Sequence, residues 1–206
     1  MTRFLAFAAL VAAAVLAGCA SSPAPLDPDD ALRPRARFVP DTGERPPAAN
    51  IMQPGHAPTP FSTAEVRAGA AYHGDRVYVL RGVPGLSAVE YRTSGITDAG
   101  CTLTVTEFES NGEPYPDRAE RQTWDELRGS TSFPAEAVTI RDAQVLTIAG
   151  EFDCWAYVLE VPGEIYTVLY FARNLPGMAV LRRDFTPDGY ILEELELISF
   201  GAAGTL

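Results

Sequence analysis

Lysine is missing from this sequence altogether, and histidine occurs only twice and cysteine three times in 206 residues. The 16 basic residues are therefore all arginine, and set against 27 acidic ones they leave a formal net charge of −11. A chain this acidic, without a basic run, repels a phosphate backbone, which argues against nucleic acid as a partner. So few histidines and cysteines do not supply a zinc-ligand spacing, and no metal or cofactor is expected. A phosphate-gripping glycine loop and a nucleophile elbow are also missing, and no enzyme is predicted. The most apolar run, from Phe4 to Leu16, is shorter than the roughly 20 residues that a membrane-crossing helix requires.

What is present begins with an address. Met1-Thr2-Arg3 is a short positive start, and the apolar run behind it suits a secretory leader. The stretch Leu16-Ala17-Gly18-Cys19 resembles the bacterial lipobox. That resemblance implies cleavage after residue 18, a diacylglyceryl group on the Cys19 sulfur and an acyl chain such as palmitate on the new amine. Several acyl chains make an effectively permanent anchor. Ala20 after the cysteine, by the sorting rule of Gram-negative lipoproteins, implies the periplasmic face of the outer membrane.

Residues 19–60 hold ten of the chain's 17 prolines. Proline lacks a backbone donor and restricts the residue before it, so this composition predicts a disordered tether. The alternative is that part of it, around Ile51-Met52, packs on the domain as an arm. His56 in this stretch is expected in solvent.

From residue 61 to 206 the composition becomes that of one packed domain. Ser62-Thr63-Ala64-Glu65 and Thr123-Trp124-Asp125-Glu126 each place a hydroxyl three residues before a glutamate, the signature of a capping box. They predict helices over 63–71 and over one or two turns ending at Gly129. Elsewhere the period is two: Val77 and Val79 alternate with Tyr78 and Leu80, and Cys101, Leu103 and Val105 with threonines. Turn signals stand at Asn111-Gly112, Gly150, Pro162-Gly163, Pro176-Gly177 and Pro187-Asp188-Gly189. The expected fold is mainly β, an antiparallel meander curled into a sheet or half-barrel, with one or two short helices.

Two hairpins can be taken to register. Around Pro187-Asp188-Gly189 a three-residue loop pairs Thr186 with Tyr190, which sets Leu181 opposite Leu195, Arg183 opposite Glu193 and Arg182 opposite Glu194. The acidic run in LEELELISF then reads as cross-strand pairing and solvated surface. Around Pro162-Gly163, pairing Val161 with Glu164 places Trp155, Tyr157 and Leu159 on one face with Tyr166, Val168 and Tyr170. Both faces of that hairpin are apolar, so each must be covered. Trp155, Tyr157, Tyr166 and Tyr170 are the candidate contacts for a hydrophobic or acyl ligand.

Cys101 and Cys154 both fall in predicted strands. In an oxidising compartment they can form a disulfide worth roughly 4 kcal/mol in the chain-entropy picture, or remain buried thiols. His73, at an element boundary, reads as a surface or capping residue.

Trp124-Asp125-Glu126-Leu127, Ser132-Phe133-Pro134, Phe152-Asp153-Cys154-Trp155, Phe171-Ala172 and Leu175-Pro176-Gly177 together resemble a family of uncharacterised bacterial envelope lipoproteins, a likeness that implies no known activity. The architecture is more distantly similar to the LolA/LolB half-barrel carriers. The function expected from these readings is an outer-membrane-anchored module binding a hydrophobic or acyl ligand. The alternative is a structural or interaction lipoprotein that shows an acidic surface to an envelope partner and binds no small molecule.

Overall fold

The computed structural model describes residues 34–160 and 166–201. The leader, Cys19 and the first part of the expected tether lie outside these residues. Ten strands form one unclosed, curled antiparallel sheet: β1 Arg35–Phe38, β2 Asp75–Arg81, β3 Leu86–Ser94, β4 Gly100–Glu109, β5 Arg118–Thr123, β6 Val138–Thr147, β7 Gly150–Leu159, β8 Tyr166–Ala172, β9 Leu181–Phe185 and β10 Ile191–Gly201. Their spatial order is β1-β6-β7-β8-β9-β10-β2-β3-β4-β5. Two meanders, β2–β5 and β6–β10, therefore lie side by side, joined where the last strand pairs with the first strand of the earlier set.

Both capping boxes form. Ser62 and Glu65 exchange bonds at the start of α1, Thr63–His73, and Thr123 and Glu126 do so at the start of α2, Trp124–Gly129. Each box satisfies two backbone donors that a helix start leaves orphaned. Gly69 lets α1 sit directly on the loop after β8, because a Cβ there would lie 2.4 Å from the Pro176 carbonyl oxygen.

The arm corrects the reading of 19–60 as a free tether. From Pro34 onward this segment is ordered and partly buried. β1 pairs with β6 in four matched positions, Arg35 with Leu146 through Phe38 with Ala143. Asn50 and Thr59 are buried and clasp each other: Asn50 Nδ2 donates to Thr59 O, and Thr59 Oγ1 to Asn50 O and Phe61 O. Arg128 of α2 adds bonds to Thr59 Oγ1 and Asn50 O. Ile51, by contrast, stays exposed. The prolines punctuate the arm rather than dissolve it, since an edge strand can do without some backbone donors.

From Cys154 to Val158, β7 is buried on both faces, as its composition there requires. Cys154, Ala156 and Val158 point into the larger core with Val145, Phe152, Val168, Tyr170, Leu181, Tyr78 and Leu197. Trp155 and Tyr157 join Phe61 and Phe171 in a second cluster, against which Val66 of α1 and Phe133 pack. The curled sheet closes over one side, and the arm and α1 cover the other.

The β7–β8 register differs by one from the expected one. Trp155 lies opposite Phe171 and Tyr157 opposite Leu169, while Cys154, Ala156 and Val158 face Ala172, Tyr170 and Val168. A slip of one moves every side chain of a strand to the other face, so Tyr166, Val168 and Tyr170 do not share a face with Trp155. With both faces apolar, hydropathy could not choose between the registers.

The β9–β10 hairpin begins as read: Thr186 N donates to Tyr190 O, Gly189 has φ of 86°, and Phe185 faces Ile191. A bulge between Ile191 and Glu193 then shifts the partners, giving Arg183–Glu194, Arg182–Leu195 and Leu181–Glu196. Gly82, at φ of 80°, lies against the bulge, where a Cβ would fall 1.9 Å from the Leu192 carbonyl oxygen. The pairing needs this bare backbone at the end of β2.

Candidate functional site

The bulge turns part of the acidic run inward. Glu194 and Glu196 are only 2% and 1% exposed, so this part of LEELELISF is not solvated surface. Arg81 meets Glu194 at 2.8 Å and Glu196 at 2.6 Å, and Arg183 meets Glu194 at 2.7 Å. The Ile148 amide donates to Glu196, and Arg183 donates to the Pro34 carbonyl. Two arginines balance two glutamates, and the cluster ties β2, β9, β10, the β6–β7 turn and the start of the arm together. Balanced and fully bonded, it reads as structure rather than as an acid–base pair.

The four candidate aromatic residues do not form one surface. Trp155 and Tyr157 are buried in the outer cluster, where the Tyr157 hydroxyl donates to the Pro58 carbonyl at 2.7 Å. Tyr170 is buried in the larger core, and Tyr166 stacks on Phe185 with ring centroids 4.6 Å apart. The concave side is filled with protein side chains, among them Tyr78, Phe152, Tyr170, Leu181 and Leu197.

Cys101 and Cys154 are free, buried thiols. Five strands separate β4 from β7 in the sheet, so the two cysteines are not neighbours by pairing. Burial pushes the Cys154 thiol up to about 12, with the Asp153 carboxylate adding to the shift, and burial also raises Cys101. Both behave as small apolar residues rather than nucleophiles. A thiol reagent should find neither in the native protein, and a reductant should leave the thermal midpoint where it was. A fall worth roughly 4 kcal/mol on reduction would restore the bridge.

His73 stacks edge-on against Phe200 at 5.3 Å. His56 is not free in solvent but half-buried, with its Nδ1 3.0 Å from Ser132 Oγ. Among the described residues no group of three His, Cys, Asp or Glu is placed to hold a metal. No described helix is long and apolar enough to cross a membrane.

A groove of about 670 Å³ lies between the arm, β6–β7 and the segment after β8, lined by Thr42, Asp142, Gln144, Glu151, Asp153 and Arg173 among others. Asp142 is its organising residue. It is buried, takes bonds of 2.7 Å from both the amide and the hydroxyl of Thr42, and pairs with Arg173. Burial works to raise its pKa, but the Thr42 donors and the Arg173 charge outweigh it and hold the carboxyl below the usual range. Arg173 also reaches Glu44 at 2.6 Å and lies over the Trp155 ring, 5.0 Å from its centroid. Further along β7, Glu151 and Asp153 are exposed, and Asp153 accepts from Gln144. Arg173 pairs with Asp142 and Glu44, whereas Glu151 and Asp153 form no salt bridge among the described residues, so the lining carries a net negative charge.

Sequence reading missed this groove because its walls are a hundred residues apart. Arg141-Asp142, a charged pair in the middle of β6, was the local signal, but nothing in the chain pointed to Thr42 and Glu44 as partners. No protein family model, no curated protein and no solved structure matches this chain.

Proposed function

We propose that the chain is a lipoprotein on the periplasmic face of the outer membrane, anchored by acyl chains on Cys19. In this reading its domain binds an envelope partner and does not carry an apolar ligand. The observation behind this choice is the filled concave side: the core aromatics that could have held an acyl chain are used to pack the protein itself. The acidic groove along β6 and β7 offers a better handle, since Glu151 and Asp153 can take cationic groups of a partner.

Capture of envelope proteins on the purified domain, repeated across a salt series, tests this reading. Binding should weaken as added salt shortens the screening length from roughly 10 Å at 0.1 M to 3 Å at 1 M. It should also be lost when Glu151→Gln and Asp153→Asn are combined. Native mass spectrometry supplies the counter-test, because a stoichiometric apolar ligand carried through purification would favour a carrier instead.

A further inference from the structure

The chain leaves the described fold at a place with a distinctive surface. Arg35 pairs with Leu146, so the described chain begins, at Pro34, beside the end of β6. Around that turn several apolar side chains stand in solvent: Leu146 is 47% exposed, Ile148 63%, Phe200 37% and Tyr72 75%. They belong to one end of the molecule. Ile148 N bonds Glu196 and Ala149 N bonds Leu197 O, which brings the turn against β10. Phe200 then lies 6.3 Å from Phe152 and 5.3 Å from His73, the residue that follows Tyr72 at the end of α1. Isolated exposed apolar residues are ordinary, but several gathered at one end mark a contact surface.

The charge at this edge also differs from the rest of the protein. Residues 61–206 carry 11 arginines against 22 acids. On β1, Arg35 and Arg37 are both exposed, and Arg37 is bonded to the Gln144 amide, which stands between it and Asp153 at the rim of the groove. Neither forms a salt bridge among the described residues. The acidic groove starts at Glu151, opposite Leu146. An anionic surface could therefore approach edge-on, through β1 and the turn, but not flat against β7.

We infer that this rim lies on the bilayer, with Leu146, Ile148, Phe200 and Tyr72 entering the interface and Arg35 and Arg37 meeting anionic headgroups. The inference rests on the reading of Cys19 as the lipid anchor, since the described fold begins on the anchor's side of the sequence at Pro34, on this edge. Apolar side chains at the headgroup boundary with arginines beside them are the pattern of interfacial binding.

The test uses residues 19–206 carrying Cys19→Ser, which retains every described element and has no acyl chain. Sedimentation with vesicles of phosphatidylglycerol and phosphatidylcholine should bring the protein down, and pure phosphatidylcholine should do so less. Arg35→Gln and Arg37→Gln should each weaken binding about fivefold. Ile148→Asp should abolish it while leaving the circular dichroism spectrum unchanged. The inference fails if the parent chain does not sediment with the anionic vesicles, or if all three variants bind as the parent does. A dimer in solution that Ile148→Asp dissolves would equally overturn it, by assigning the rim to a second copy. Because no acyl chain is present, failure here leaves lipidation standing; the mass of the Cys19 peptide from cells tests that separately.

Discussion

Replacing Glu194 with alanine is expected to remove about 3–5 kcal/mol of stability, the loss typical when one partner of a buried ion pair is deleted. Arg183 would lose its carboxylate partner and Arg81 one of two, within a cluster whose glutamates are almost wholly shielded from water. Glu193, next in the chain, is only half-buried and makes no salt bridge among the described residues. Its alanine variant should change stability by less than about 0.5 kcal/mol, as surface substitutions usually do. Urea unfolding of the two variants side by side makes the comparison. Similar small losses for both would mean that the cluster is solvated, as the acidic run first suggested.

Shortening the chain to begin at Phe61 should have an effect at least as large. That cut removes β1, the Asn50–Thr59 clasp, the Thr42 donors to Asp142 and the acceptor of the Tyr157 hydroxyl. It also exposes the outer cluster around Trp155, Tyr157 and Phe171. Uncovering two or three large aromatic residues costs on the order of 5 kcal/mol, a large part of the stability of an ordinary domain. A chain starting at Pro34 should unfold cooperatively and resist proteolysis, whereas one starting at Phe61 should do neither. If the shorter chain melted within a few degrees of the longer, the arm would be dispensable and the tether reading would return.

The difference between what could and could not be read in advance has a physical basis. Both helix starts were visible because a capping box lies within four residues, and the turn at Pro187-Asp188-Gly189 because φ preferences are local. The curled β-sheet followed from the period-two pattern and the turn residues. The β7–β8 register was hidden because both faces of that hairpin are apolar, so sliding it exposes nothing. The bulge in β10 depends on Gly82, more than a hundred residues away, making room for Leu192. The arm was misread for a related reason. Its anchors are single residues spaced between prolines, and their partners, Asp142, Arg128 and Gln144, all lie elsewhere in the chain.

The ordering of the arm also changes how far the domain can wander. If Cys19 holds the lipid, the stretch between the anchor and the first residue of the described fold is 19–33, not 19–60. At about 3.6 Å per fully extended residue, fifteen residues reach at most about 54 Å, against about 150 Å for the whole stretch. Search volume grows as the cube of that radius, so clasping the arm shrinks it roughly twentyfold. For a flexible connection the local concentration felt by a partner in the same membrane rises less steeply, about fivefold, because it scales as roughly the −3/2 power of the length. Clamped to its own sheet, the proline-rich segment works as a spool that has taken up most of its line.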